Sequence, residues 1–100
     1  MTFMYEIKKT DTFDAWLRGL KDLKAKITIA RRIDRMQGGN FGDVKPVGEG
    51  VSEARVDLGP GYRLYYFIKG KTIVIVLHGG SKAHQQKDID KAKALAKEFK

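Results

Sequence analysis

Arg63 stands between a glycine turn and the apolar run "LYYF", inside the stretch "LGPGYRLYYFIKGKTIVIVLHGGSK" (58–82). That stretch otherwise has the aromatic and β-branched composition of a buried hairpin. A guanidinium keeps its charge at any physiological pH, and burying an unpaired charge is costly. Either an internal carboxylate satisfies Arg63, or an anion arrives from outside. The preceding segment "VSEARVDL" (51–58) alternates, with Ala54, Val56 and Leu58 on one side and Glu53, Arg55 and Asp57 on the other. A hairpin around "LGPG" sets Arg55 and Arg63 near each other on one open face. Like charges facing across two strands destabilise the pair unless an anion bridges them. Glu53 or Asp57 could be that bridge from within, and a phosphate could be it from without. Just downstream, "HGGSKAHQQ" (78–86) reads as a glycine-rich loop carrying His78, Lys82 and His84. Backbone amides, a lysine and imidazoles at a sheet edge suit a phosphate, although Gly-Gly is equally an ordinary turn.

Other chemistries find little support. Neither histidine has a partner at metal-ligand spacing, and no nucleophile elbow, Walker motif or dinucleotide fingerprint occurs. There is no cysteine, hence no disulfide framework or thiol chemistry. What remains is phosphodiester chemistry without a metal or cofactor, or binding alone. RNA can be cut in that way when its own 2′-hydroxyl attacks the adjacent phosphate. The protein must then align the attack, stabilise the extra negative charge and help protons move.

Twenty Lys and Arg against twelve Asp and Glu give 100 residues a net charge of +8. Such an excess favours acidic partners. The length fits one domain over 1–100. No run is long and apolar enough to span a membrane, and "MTFMYEIKKT" has no signal-peptide core, so we expect a cytoplasmic protein without a membrane partner.

The elements that must position these residues follow from periodicity. A first strand is expected from Thr2 to Lys8. A helix capped by Thr10 or Asp11 then places Phe13, Trp16, Leu17 and Leu20 on one apolar face, with Gly19 weakening but not ending it. A second helix, "AKITIARRIDRMQGG", buries Ile29, Ile33 and Met36 with Ile27 and Ala30 beside them, and stops at Gly38 and Gly39. Arg31, Arg32 and Arg35 lie with Thr28 in a basic stripe off that face. The segment "NFGDVKPVGEG" should be a loop with at most a short edge strand, because Pro46 cannot donate to a ladder. Strands over 51–58, 62–70 and 71–80 and a last helix with Ile89, Ala92, Leu95, Ala96 and Phe99 complete the chain. The expected class is α+β: an N-terminal strand and two helices, then a curved antiparallel sheet of three or four strands and a C-terminal helix, with the helices on one face.

The order of elements, "NFGDVKPVGEGVSEARVDLGPGYRLYY" above all, and the trailing "DIDKAKALAKE" closely resemble the RelE/ParE toxin superfamily. Within it the chain most resembles the HigB-type, phage Gp49-like "addiction module killer" proteins, and the likeness covers nearly the whole chain. It implies a RelE-like fold and a type II toxin–antitoxin toxin that cuts mRNA on the ribosome, inhibits translation and growth, and is silenced by a cognate HigA-type helix-turn-helix antitoxin. Operator DNA would be reached only through that antitoxin. Carried over position by position, Arg63 matches the arginine that stabilises the cleaved phosphate, Arg55 a basic position on the preceding strand, and Lys82 a basic residue after the last strand. Lys45, Tyr62, Tyr65, His78, His84 and Gln85 are the accompanying candidates for RNA contact. Arg31, Arg32 and Arg35 are those for antitoxin contact. Asp57 stands where RelE has a second basic residue, and the late tyrosine of RelE is missing, with "AHQQKD" in its place. The alternatives are a ParE-like toxin that binds gyrase without nuclease residues, or a degenerate copy acting only as an antitoxin partner.

Overall fold

A computed structural model describes residues 4–100. The chain runs β1 (Glu6–Lys9), α1 (Asp11–Gly19), α2 (Leu23–Gln37), β2 (Val44–Gly48), β3 (Val51–Val56), β4 (Tyr62–Lys69), β5 (Ile73–Ser81), a 3-10 turn (Lys82–His84) and α3 (Gln85–Lys97). The five strands form one sheet in the order β1-β5-β4-β3-β2. The four later strands are an antiparallel meander, and β1 joins the β5 edge in parallel. The expected first strand begins later, at Glu6; Thr2 and Phe3 lie outside the described residues.

Period-two alternation assigns the two faces of the sheet. Ala54, Val56, Tyr62, Leu64, Tyr66, Val74 and Val76 point to α1 and α2, meeting Phe13, Ala25, Ile29, Ile33 and Met36. Val51, Tyr65, Phe67, Ile75 and Leu77 point the other way, against Ile89, Ala92 and Ala96 of α3. The helices therefore cover both faces rather than one. The reason is visible in β4 and β5, which are apolar at consecutive positions and so need cover on each side.

Thr10 fixes the junction of β1, α1 and β5. Its Oγ1 accepts the Phe13 N–H at 3.0 Å as N-cap and donates to the Leu77 carbonyl at 2.6 Å. Gly19 is the last residue of α1, so the helix does end there, and Asp22 caps α2 by accepting from Ala25 N–H. Ile27 and Ala30 are exposed, not buried beside Ile29, because they lie on the far side of α2. Pro46 sits in β2, an edge strand, as its missing N–H requires.

Candidate functional site

The α3 side of the sheet is divided in two. One part is apolar and packs on Ile89, Ala92 and Ala96 of α3; the other carries Glu53 and Arg55 of β3, Arg63 of β4 and His78 of β5, and meets the first turn of α3 through Gln85 and Asp88. Arg55 and Arg63 stand directly opposite each other in the β3–β4 register. Each of them is held by a different carboxylate. Arg55 Nη2 donates to Asp43 Oδ1 at 2.9 Å in an exposed pair. Arg63 Nε lies 3.2 Å from Glu53 Oε2, an ionic contact without hydrogen-bond alignment, and Glu53 is 1% exposed. Glu53 Oε2 also accepts from Gln85 Nε2 of α3 at 3.2 Å. The internal bridge to Arg63 is thus Glu53; among the described residues Asp57 makes no such bridge.

Holding Arg63 by Nε leaves the outer guanidinium nitrogens for another ligand. A Cβ built on Gly61 would lie 3.8 Å from Arg63 Nη1 and 3.7 Å from Lys82 Cβ, so both cations flank that glycine. Gly61 has φ +81°, which other residues rarely adopt. A cavity of about 300 Å³ opens here, lined by Asp43, Arg55, Val56, Asp57, Gly61, Tyr62, Arg63 and Lys82. All three cations expected at the catalytic position therefore line one cavity. Lys82 is brought in because its N–H donates to the Gly61 carbonyl at 2.8 Å, extending the β4–β5 ladder past the strand ends.

The glycine-rich segment after β5 is not a loop. Gly79 and Gly80 are strand residues paired with Leu64 and Arg63. Each is required by a close neighbour: a Cβ at Gly79 would strike the Trp16 ring of α1, and one at Gly80 would strike the Asp88 carboxylate of α3. The pair is there so that a helix can press on each face of β5, not to cradle a phosphate.

A β-bulge re-aims His78. Tyr65 pairs with His78 and Tyr66 with Val76, leaving Leu77 as the extra residue. Leu77 and His78 consequently share the α3 face, where strict alternation would have turned His78 toward α1. His78 Nε2 lies 3.1 Å from Asp88 Oδ1, and its ring stacks on Tyr65 at 6.4 Å between centroids. Tyr65 is fully buried, and among the described residues its hydroxyl has no hydrogen-bond partner. Burial, with Glu53 and Asp88 nearby, pushes that phenol up to about 12 despite the opposing effect of Arg63. It remains a neutral phenol throughout the physiological range.

Among the expected RNA contacts, Tyr65 and His78 are enclosed beneath α3, with His78 only 7% exposed, so neither side chain presents itself at the surface. Gln85 is tied to Glu53, while Lys45, Lys82 and His84 are exposed. Tyr62 points to the α1 side, 8% exposed, and still borders the cavity. In the basic stripe, Arg31 and Arg35 are exposed, whereas Arg32 packs on Gly42. Burial, with Arg35 adding to it, lowers the Arg32 pKa, and Asp43 and Tyr66 oppose the shift. Asp43 and Asp88 were not singled out from sequence; one lies in an irregular segment and the other on a helix whose orientation sequence does not give.

The architecture is that of RelE. It superimposes on a free-state mutant of the E. coli toxin RelE with a TM-score of 0.71 at 18% identity, covering 90% of this chain and 95% of that one. A toxin–antitoxin complex, RelBE2 of Mycobacterium tuberculosis, matches with a TM-score of 0.64 at 23% identity, over 79% of this chain and 99% of that one. Residues 15–99 match the family "Phage derived protein Gp49-like (DUF891)", and the chain belongs to that family. A Haemophilus influenzae protein described as uncharacterized is 53% identical over 94 residues, spanning 94% of this chain and 95% of its own length.

Proposed function

We propose that this protein is the toxin of a type II toxin–antitoxin module and an endoribonuclease that cuts mRNA on the ribosome. The observation that carries the reading is the convergence of Arg55, Arg63 and Lys82 on one cavity, with Arg63 oriented from behind by a buried carboxylate. A guanidinium fixed in this way needs no reorganisation when charge develops on a phosphorane, which is how preorganised charge lowers a barrier. In the reaction the 2′-oxygen bonds to phosphorus, the bond from phosphorus to the 5′-oxygen breaks, and a 2′,3′-cyclic phosphate forms. The 2′-proton leaves to a base and the departing 5′-oxygen gains a proton.

To these roles we assign groups that line the cavity: Arg63 and Arg55 for the developing charge, Asp57 for accepting the 2′-proton, and Lys82 for donating to the leaving oxygen. With Asp43 already engaged by Arg55, Asp57 is the carboxylate left for this role, and a weak base of this kind fits a catalyst that relies on the ribosome to align its substrate. The exposed Arg31 and Arg35 and the +8 charge suit an acidic, helix-turn-helix antitoxin of the HigA type, which would also link the complex to operator DNA. Mapping of mRNA ends on translating ribosomes, set against inhibition of gyrase supercoiling, tests the reading. Codon-positioned cuts lost on replacement of Arg63 support it, and gyrase inhibition without cuts assigns the fold to a ParE-like role.

A further inference from the structure

Among the described residues the sheet has three stretches of free edge, and two of these are defended. β2 carries Lys45, Pro46 and a register shift, all of which discourage another strand from adding. β1 presents Glu6, Lys8 and Lys9. The third stretch is the upper part of β5. β1 pairs with β5 only as far as Val76, while β4 accompanies β5 to Ser81. Among the described residues His78–Ser81 therefore has a partner strand on one side only, and "HGGS" holds no proline, lysine or acidic residue to block the other.

The hydrogen-bond phase shows which groups are free there. Lys82 N–H bonds to the Gly61 carbonyl, and bonded pairs alternate along an antiparallel ladder. Gly80 and His78 accordingly bond to β4, and Gly79 and Ser81 turn their N–H and C=O outward. Closer to β1 the same outward phase is occupied: Val76 and Leu77 carbonyls accept from Thr10. Beyond Leu77 the outward edge opens into a groove of about 430 Å³ between α1 and α3. Trp16 and Leu20 form its apolar wall; His84 and Lys87 lie on the opposite wall, where Asp88 is already engaged by His78.

We infer that this groove receives an extended acidic peptide segment of a partner protein, added as a strand to the His78–Ser81 edge of β5. Alternate side chains of an added strand point to opposite walls. The segment would thus carry apolar residues toward Trp16 and Leu20, and Asp or Glu toward Lys87 and His84. Charge complementarity with a +8 chain selects the acidic sequence. The inference stands independently of nuclease activity, since Arg55 and Arg63 do not line this groove.

Trp16 is the chain's one tryptophan, so its fluorescence reports the groove. The probe is an acetylated, amidated heptapeptide alternating Glu and Leu, titrated into the whole protein to millimolar concentration, with amide shifts followed in parallel. The expected result is a saturable Trp16 response with shifts at the Gly79 and Ser81 amides. Ser81→Pro removes one outward N–H without touching the ladder bonds, and Lys87→Glu reverses the wall charge. Each should weaken binding at least about tenfold, with melting temperature confirming the fold and mRNA cleavage remaining as a separate readout. No saturable response, equal binding of a Lys–Leu peptide, or binding unchanged in both variants would overturn the inference. So would a concentration-dependent dimer abolished by Ser81→Pro, which would give the edge to a second copy. Displacement of the peptide response by a single-stranded RNA that itself shifts Gly79 and Ser81 would also overturn it.

Discussion

Arg63 Nε lies 3.2 Å from Glu53 Oε2, and Glu53 is 1% exposed beneath the cation cluster. The carboxylate is shared between β4 and α3, because Gln85 donates to the same oxygen. It therefore ties the orientation of the guanidinium to the docking of the C-terminal helix. Removing one member of a buried ion pair leaves the other uncompensated, at a typical cost of about 3–5 kcal/mol. Glu53→Ala should lower unfolding stability by about that range, discounted toward its lower end because Arg63 retains some solvent contact. Urea denaturation checks it, and a loss below about 1 kcal/mol would mean that solvent already satisfies Arg63.

The same pairing complicates the simplest active-site test. Arg63→Ala leaves Glu53 buried with only Gln85 against it, so lost activity in that variant mixes chemistry with unfolding. Replacing both residues, as Glu53→Gln with Arg63→Gln, removes both charges and keeps side chains of similar size. We expect this double variant to be more stable than Arg63→Ala, by thermal melting. With the Glu53→Gln and Arg63→Gln single variants the set forms a double-mutant cycle, and additive losses would show that the two charges are not energetically coupled.

Gly79→Ala and Gly80→Ala should each destabilise by about 1–3 kcal/mol through overpacking. Gly79→Ala should be the worse of the two, since the Trp16 ring cannot fold away as the Asp88 carboxylate can. Denaturation followed by Trp16 fluorescence distinguishes them. A neutral Gly79→Ala would return this segment to the open loop expected from its composition.

Tyr65 gives a pH signature. Its folded pKa is raised from 10.0 to about 12, chiefly by burial, so the folded protein holds the phenolic proton more tightly than the unfolded chain does. The associated stability is complete below pH 10.0 and is lost as pH rises toward about 12. Tyr65→Phe should flatten that alkaline limb and change stability little at neutral pH, since the hydroxyl has no partner to lose. Stability measured across the alkaline range checks both, and an unchanged slope would place the titrating group elsewhere.

Asp57→Asn should slow cleavage by about a hundredfold or more if this carboxylate takes the 2′-proton. Binding of a substrate analogue lacking the 2′-hydroxyl should be unchanged or tighter, because a negative charge leaves the cavity. Undiminished cleavage would remove Asp57 from the mechanism.

Much of this was legible in the sequence. Alternation in "VSEARVDL", with the period of two that any strand imposes on "YRLYYF", placed Arg55 and Arg63 on one face, and the tight β3–β4 hairpin set them opposite each other. The resemblance supplied the RelE fold as an expectation, and the superpositions bear it out. What escaped depends on features that period and composition do not encode. A single extra residue at Leu77 flips His78 to the other face. The steric demand behind Gly79 and Gly80 comes from Trp16 and Asp88, which are far away along the chain. Consecutive apolar positions show that both faces of β4 are buried, but not that α3 crosses to the face opposite α1 and α2.

The central claim is that Arg63, held by Glu53, stabilises charge on an RNA phosphate. It is tested most directly by single-turnover cleavage of mRNA on stalled, translating ribosomes, comparing the wild-type protein with the Glu53→Gln, Arg63→Gln double variant and with Glu53→Gln alone, all shown to be folded at the assay temperature. The account predicts that the double variant loses about a hundredfold or more in rate, corresponding to roughly 3 kcal/mol of transition-state stabilisation. Glu53→Gln alone, keeping the guanidinium but loosening its aim, should fall between the two. A folded double variant that cuts as fast as the wild type would contradict the account.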